Sequence, residues 1–373
     1  MKFNRFQKPI SLKSSVKILF VIGCLFFMFQ TNLQAQISGT SFTNEEKKQL
    51  LEAVKNKKIV AIAENVHWIK EYKEDQYNIS KLLIDSLGFD AIFIEVSNIQ
   101  VNEDLRINEF KSYGKIYNIA TEMKIPIIGI NTAFGGDLRT VIEATQIKDS
   151  LFSKQLNKIF ILNNSNEAYY WYKMPLNELE DLKNQVLKLS PNNYTFSAYP
   201  NVIKDLVENI NYISLKRTRT DLIRDSFMFA KVNNYLRENP NHKVVVIAHS
   251  KHLAKSQKIR RQNLGVLLNE KYKNDYSAIS TEFEKGIIYT WTKEKQKQDT
   301  SYFKPITNRK TIWNDKKITI KRIMSAKEIS NTKYTAQFIG GSFQKSYGLR
   351  KVYYNDLFDL VITYPTIHYH GLK

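Results

Sequence analysis

Four short apolar runs set the strongest limit on how this chain can fold. They are 59–63 (IVAIA), 91–96 (AIFIEV), 125–130 (IPIIGI) and 244–248 (VVVIA), each followed by a polar break. A half-exposed strand would alternate apolar and polar residues. These runs are apolar on both parities and rich in isoleucine and valine, which suits strands covered on both faces of a parallel sheet. Helix-length amphipathic segments lie between them. Lys70 to Leu87 is closed by Gly88, and Thr220 to Arg237 has Pro240 just beyond its end. Ser280 to Thr290 and Phe358 to Thr363 read as later strands. The alternation predicts an α/β fold, a mostly parallel sheet flanked by helices.

Two stretches break the rhythm. Residues from about 145 to 215 read as a helical insertion that carries Tyr169-Tyr170-Trp171-Tyr172. Four consecutive aromatics step around a helix by about 100° each, so they cannot all face one way. The insertion is expected to form a lid that brings some of them to a cleft. Residues 291–354 are polar and lysine-rich, and read as hairpins or an appendage.

The first 35 residues read as a secretory signal. Lys2, Arg5, Lys8, Lys13 and Lys17 precede an apolar run from Ile18 to Phe29 that is too short to span a membrane as a helix. Leu33-Gln34-Ala35 offers a cleavage site, with the mature chain starting near Gln36 and lying outside the cytoplasm without stable membrane insertion. Val21-Ile22-Gly23-Cys24 has the form of a lipid-attachment box, but the apolar run continues past Cys24, which favours cleavage after Ala35. Cys24 is the only cysteine. Once the signal is removed, disulfides, thiolate nucleophiles and zinc–cysteine sites are excluded. The remainder reads as one large α/β domain, and nothing in it specifies an oligomeric state.

The formal charge of +20 includes five positive residues in the signal. The excess suits anionic surfaces. No basic motif interleaved with stacking aromatics is present, so nucleic acid is not the expected partner.

Polar residues gather at the same end of each proposed strand. Glu64 and His67 follow the first, Glu95 closes the second, Asn131 ends the third, and His249 and His252 follow the fourth. Ligands of open α/β sheets bind outside the carboxyl ends of the strands. Glu64, His67 and Glu71 would share one face if the chain turned helical after Ala63, and His249 and His252 stand one helical turn apart. A histidine with a carboxylate is a general-base arrangement, and a second histidine can protonate a leaving group. Glu95 also reads as the partner of an ion pair with Arg224. The chain has no G-x-S-x-G elbow, no G-x-G-x-x-G and no G-x-x-x-x-G-K-[ST].

These residues resemble the erythromycin esterase family. Its opening motif is glycine–glutamate–two residues–histidine, with a glutamate four residues on. Ala63-Glu64-Asn65-Val66-His67 and Glu71 match that frame, with alanine in place of the glycine. Gly88-Phe89 leading to Glu95, Arg224-Asp225 with Met228, and Ala248-His249-Ser250-Lys251-His252 match later landmarks. Leu264-Gly265, Tyr276, Gly286 and Phe358-Asp359 extend the likeness. Trp68-Ile69, Ser250 and Gln76 depart from it. The glutamine is similar to the related haem-binding, ChaN-like and Tiki group.

The resemblance implies an ester or lactone hydrolase acting on a small molecule. His67 would activate water, Glu64 and Glu95 would hold and polarise it, and His249 and His252 would form the opposite wall. Glu71 and Arg224 would support them. No cofactor is required on this reading, although the same histidines and carboxylates could hold a divalent metal. The alternatives are a ChaN-like envelope protein holding haem or a metal in the same pocket, and a relative that has lost catalysis.

Overall fold

A computed structural model describes residues 42–98, 101, 115–131, 175–188, 207, 211, 222–258, 262–292, 297–339 and 349–370. Two compact units divide the chain. Of Met1–Phe42 only Phe42 is described, and Thr43–Lys373 carries everything below. The signal and the aromatic run 169–172 lie outside the described residues, as does most of the 145–215 insertion. Among the described residues no helix is long and apolar enough to cross a membrane.

The elements run α1 (Asn44–Val54), β1 (Ile59–Glu64), α2 (Lys70–Leu87), β2 (Ala91–Ile94), α3 (Ile116–Met123) and β3 (Ile127–Gly129). They continue with α4 (Leu176–Lys188), α5 (Leu222–Glu238), β4 (Val244–His249), α6 (Ser250–Leu253), α7 (Leu264–Tyr272) and β5 (Tyr276–Thr292). The last group is β6 (Lys297–Phe303), α8 (Ile312–Lys316), β7 (Arg322–Ser325), β8 (Tyr334–Gln337), β9 (Leu349–Val352) and β10 (Leu360–Ile367).

The main sheet has the order β3-β2-β4-β1-β5-β10-β7, with β6 paired to the far end of β5. Strands β3, β2, β4, β1, β5 and β10 are mutually parallel. Antiparallel pairing is confined to β7 on β10 and β6 on β5. The sheet is therefore mostly parallel, as the apolar runs predict. β1, β2 and β4 are buried along their whole length, which explains why both of their parities are apolar.

The chain winds outward from β1 to β2 and β3, returns to place β4 between β2 and β1, and then continues to β5 on the other side. Reversing direction while keeping right-handed crossovers puts successive helices on opposite faces. The helix contacts agree, with α1, α2 and α3 in one chain of contacts and α5, α6 and α7 in another. On α5 the buried residues Asp225, Met228, Val232 and Leu236 repeat at helical spacing.

α2 ends where Gly88 adopts φ +65° and its N–H reaches the Ile84 carbonyl, a left-handed cap that a side chain would strain. The stretch 291–354 supplies the β5–β6 hairpin, strand β7 at the sheet edge and the separate β8–β9 ladder. Arg322 of β7 and Arg350 and Lys351 of β9 are exposed on edge strands, which tolerate charge where a central strand does not. β5 leaves the sheet to form its hairpin at Gly286, where φ is +149° and a Cβ would lie 2.2 Å from the Ile367 carbonyl oxygen.

Candidate functional site

β1 and β4 are in register, so that Glu64 stands opposite His249 at their carboxyl ends. Glu95 comes directly after β2, and its N–H still bonds to the Ile247 carbonyl of β4. The reversal of winding at β4 leaves these three ends on one edge of the sheet, where a ligand crevice is expected. Glu64, His67, Glu95, His249 and His252 meet there.

The chain does not turn helical after Ala63, so Glu64, His67 and Glu71 do not share a helix face. Residues 65–69 form a tight turn, and α2 begins at Lys70. Trp68 takes φ +59°, a left-handed conformation unusual for a bulky residue. The segment after β10 holds it there. The His370 N–H donates to the Trp68 carbonyl at 2.9 Å, and the Lys70 N–H donates to the His368 carbonyl at 2.9 Å. Glu71 belongs to this clamp, binding the N–H and the ring Nδ1 of His368 at 2.9 and 2.5 Å. Beside His67, Trp68 packs edge-on against Tyr289, which stacks on Tyr369.

The turn places His67 Nδ1 2.6 Å from Glu64 Oε1. Glu64 Oε2 accepts from Lys73 Nζ and from Gln76 Nε2, both at 2.8 Å. Burial pushes the Glu64 carboxyl up, but the Lys73 ammonium and the bonds to His67 and Lys73 outweigh it and bring it down to about 2. Glu64 is thus a sealed carboxylate at neutral pH. Its bond to Nδ1 favours the tautomer with the proton on that nitrogen, leaving Nε2 as the basic position. Among the described residues nothing bonds to His67 Nε2, and the side chain is 25% exposed.

Glu95 is bound by Arg224 Nη2 at 2.7 Å and by the His249 N–H at 2.7 Å. Burial pushes it up, but His252 and Arg224 hold it well below the usual carboxylate range. Arg224 also donates to Asn131 Oδ1 at 2.9 Å and approaches His252 Nε2 at 3.3 Å. His252 Nδ1 lies 2.6 Å from Asp225 Oδ1, and that oxygen also accepts from the Leu264 N–H. The Arg224 side chain is 24% exposed, with its guanidinium held by Glu95, Asn131 and His252.

His249 differs from the other histidines. Its Nδ1 accepts from the Lys251 N–H at 3.1 Å, and its Nε2 faces the Asn65 and Ile339 carbonyls at 3.2 and 3.0 Å. Both nitrogens are therefore taken by the backbone, and Nε2 carries the proton. Burial first, and then the neighbouring His67, lower its pKa to about 3, so the ring stays neutral. It lies 4.9 Å from the His67 ring, centroid to centroid.

The sequence reading missed Lys73, Asp225 as the partner of His252, and the role of Asn65. Lys73 could have been found as a lysine one turn before Gln76 on the face of α2 that buries Tyr72, Ile79 and Leu83. Among the described residues no group of three or more His, Cys, Asp or Glu side chains is disposed to hold a metal.

The class these features define is an open, mostly parallel α/β sheet, covered by helices on both faces, with a histidine–carboxylate pair at its carboxyl edge. The model of the erythromycin esterase family matches residues 178–366, and the chain belongs to that family. A mutant of erythromycin esterase EreC in its open conformation has the same fold (TM-score 0.61, 18% identity, 90% of this chain and 97% of that one). So do a protein described as a succinoglycan biosynthesis protein (TM-score 0.66, 16% identity, 90% and 94%) and a Bacillus cereus protein (TM-score 0.64, 12% identity, 88% and 93%). At these identities the likeness is one of fold. ChaN of Campylobacter jejuni, whose structure shows cofacial haem binding, superposes at a TM-score of 0.31, too slight a likeness to bear on function. No curated protein sequence matches the chain.

Proposed function

We propose that this protein is a hydrolase of small-molecule esters or lactones in which His67 activates water. The observation that carries the reading is the 2.6 Å contact of His67 Nδ1 with the sealed Glu64 carboxylate, with Nε2 left open. In the first step Nε2 takes a proton from water as its oxygen bonds to the ester carbonyl carbon. The Arg224 guanidinium offers positive charge to the oxyanion that forms. When the tetrahedral intermediate collapses, the carbon–oxygen bond to the leaving alcohol breaks, and the proton held on His67 passes to that alcohol.

The two glutamates have separate tasks on this reading. Glu64 orients His67 and stabilises its protonated form. Glu95 fixes Arg224 and ties β2 to β4 through the His249 N–H. His252, set by Asp225, backs Arg224. His249 packs as a neutral ring against His67 and is not itself a base. No metal is needed, because the chain provides both a base and a cationic wall. Membership of the erythromycin esterase family supports the reaction class.

Export belongs to the same proposal and rests on the sequence of residues 1–35. The mature protein should begin near Gln36, which N-terminal sequencing of the processed chain would test. The reaction is tested with a panel of esters and lactones assayed against wild type and His67→Ala. Turnover by wild type that disappears in the variant supports the reading, and equal turnover by both removes His67 from it.

A further inference from the structure

Behind the turn that carries His67 lies a second buried carboxyl that the hydrolytic mechanism does not use. Glu282, on β5, is 1% exposed. Its Oε2 accepts from Asn65 Nδ2 at 3.2 Å, and its Oε1 makes no bond of ordinary geometry among the described residues. The groups around it are the amide of Asn65, the phenol of Tyr354 and the backbone amide of Gln337, with Tyr72 close by. No lysine, arginine or histidine among the described residues lends it a charge. Burial holds Tyr72 and Tyr354 well above the usual phenol range, so both face it neutral.

A carboxyl in such a place is costly to ionise. Glu64 shows the contrast, since it is equally buried but has Lys73 beside it. Burial without a compensating cation pushes Glu282 up to about 8. At neutral pH it is mostly a neutral acid.

Asn65 connects this acid to the site. It is fully buried and bonded from α2, β4, β5 and the segment after β8. Its Oδ1 accepts from Tyr72 OH at 2.8 Å, and its Nδ2 donates to Glu282. Its N–H donates to Thr281 Oγ1 at 3.3 Å. Its carbonyl accepts from the Ile339 N–H at 2.8 Å and from His249 Nε2. The side chain of Asn65 therefore fixes the orientation of one of the two carbonyls that face His249 Nε2, the other being that of Ile339.

We infer that Glu282 is a positioning residue of this site: by anchoring the Asn65 side chain it fixes the Asn65 carbonyl, which together with the Ile339 carbonyl and the Lys251 N–H holds the His249 ring against His67. The link rests on the hydrolase reading only for its effect on turnover, because the state of the His249 ring can be read without any substrate. A neutral acceptor of the same shape is sufficient at position 282. Removing the acceptor leaves a buried Asn65 N–H₂ without its partner, which favours rotation of the amide and displacement of the turn.

The test uses the folded mature chain labelled with ¹⁵N-histidine, and p-nitrophenyl acetate as the ester probe. In wild type and Glu282→Gln, the His249 ring should show protonated Nε2 and no titration between pH 5 and 8. In Glu282→Ala, the His249 signals should shift or begin to titrate in that range, and kcat should fall ~10-fold or more with KM little changed, a loss at the lower end of those for general-base groups. If Glu282→Ala does not fold, Glu282→Met fills similar volume without an acceptor and should give the same result. A folded Ala or Met variant with wild-type His249 signals overturns the inference, as does a Gln variant that is as impaired as Ala. If wild type does not hydrolyse the ester, the hydrolase reading loses that support, and the ring spectra still decide the role of Glu282.

Discussion

His67 and Glu64 lie 2.6 Å apart across a turn of three residues, and only the histidine is reached by solvent. That asymmetry separates the histidines of the site by task. His67 has one nitrogen tied to a carboxylate and the other open. His249, next to it, has both nitrogens committed to the backbone.

Replacement should expose this division. His67→Ala is expected to lower kcat ~100- to 10,000-fold, as for other general bases. Added imidazole should restore part of the rate, because the vacated position is solvent-accessible. His249→Ala should lower the midpoint of urea unfolding, and imidazole should restore nothing, because the ring it removes is sealed. Steady-state rates with and without imidazole check both, and rescue of His249→Ala would reverse the assignment.

Lys73 is the compensating charge for Glu64. Lys73→Met should destabilise the fold by ~3–5 kcal/mol, the usual cost of breaking a buried ion pair from one side. The pH dependence gives a sharper readout. The Glu64 pKa drops from 4.5 to about 2 on folding. Its stabilising contribution is therefore fully present above about pH 4.5 and is lost as pH falls toward 2. In Lys73→Met the folded-state pKa of Glu64 should rise, so this acid-dependent loss should shrink or reverse, which urea unfolding between pH 3 and 7 would show.

Glu282 has the opposite sign. Its pKa rises from 4.5 to about 8 on folding, so the unfolded chain gives up this proton first. Wild type should lose stability as pH rises from about 4.5 to 8, and the loss should level off above that. Glu282→Gln lacks the term. Its free energy of unfolding should match wild type near pH 4 and exceed it increasingly up to pH 8, by several kcal/mol at ~1.4 kcal/mol per pH unit of displacement. A constant gap across that range would show that Glu282 does not bind a proton on folding.

Exhaustive dialysis against a chelator should leave turnover within a few-fold of its starting value. Of the ligand-capable groups His67 Nε2 is open, while its neighbours are engaged, Glu64 by Lys73 and Gln76, His252 by Asp225, and His249 by the backbone. Loss of activity that a single divalent ion restores would overturn the expectation.

Much of this arrangement was legible in the sequence. Strands buried on both faces must be apolar throughout, so β1, β2 and β4 stood out, and the polar residues at their ends marked the site edge. Gly88 marked the end of α2 because a left-handed cap favours glycine. Partners set by tertiary contact were not legible. Lys73 looks like any lysine on an amphipathic helix until Glu64 is placed against it. Glu71 keeps the expected spacing from His67, but the left-handed turn at Trp68 directs it to His368. Strand β7 was obscured because its antiparallel edge position relaxes the apolar requirement.

The clamp on the His67 turn also bears on how the protein is made. Glu71 and the His368 that binds it are 297 positions apart in the chain. Contacts this distant close late and slow folding. The residues that hold Trp68 in its unfavourable conformation leave the ribosome long after the turn itself. Until they arrive, nothing offsets the strain, and the turn is free to relax. A chain lacking residues 368–370 would therefore keep the strands of the sheet while the turn that carries His67 loses its clamp, so that the geometry of the site depends on a segment far from it in sequence.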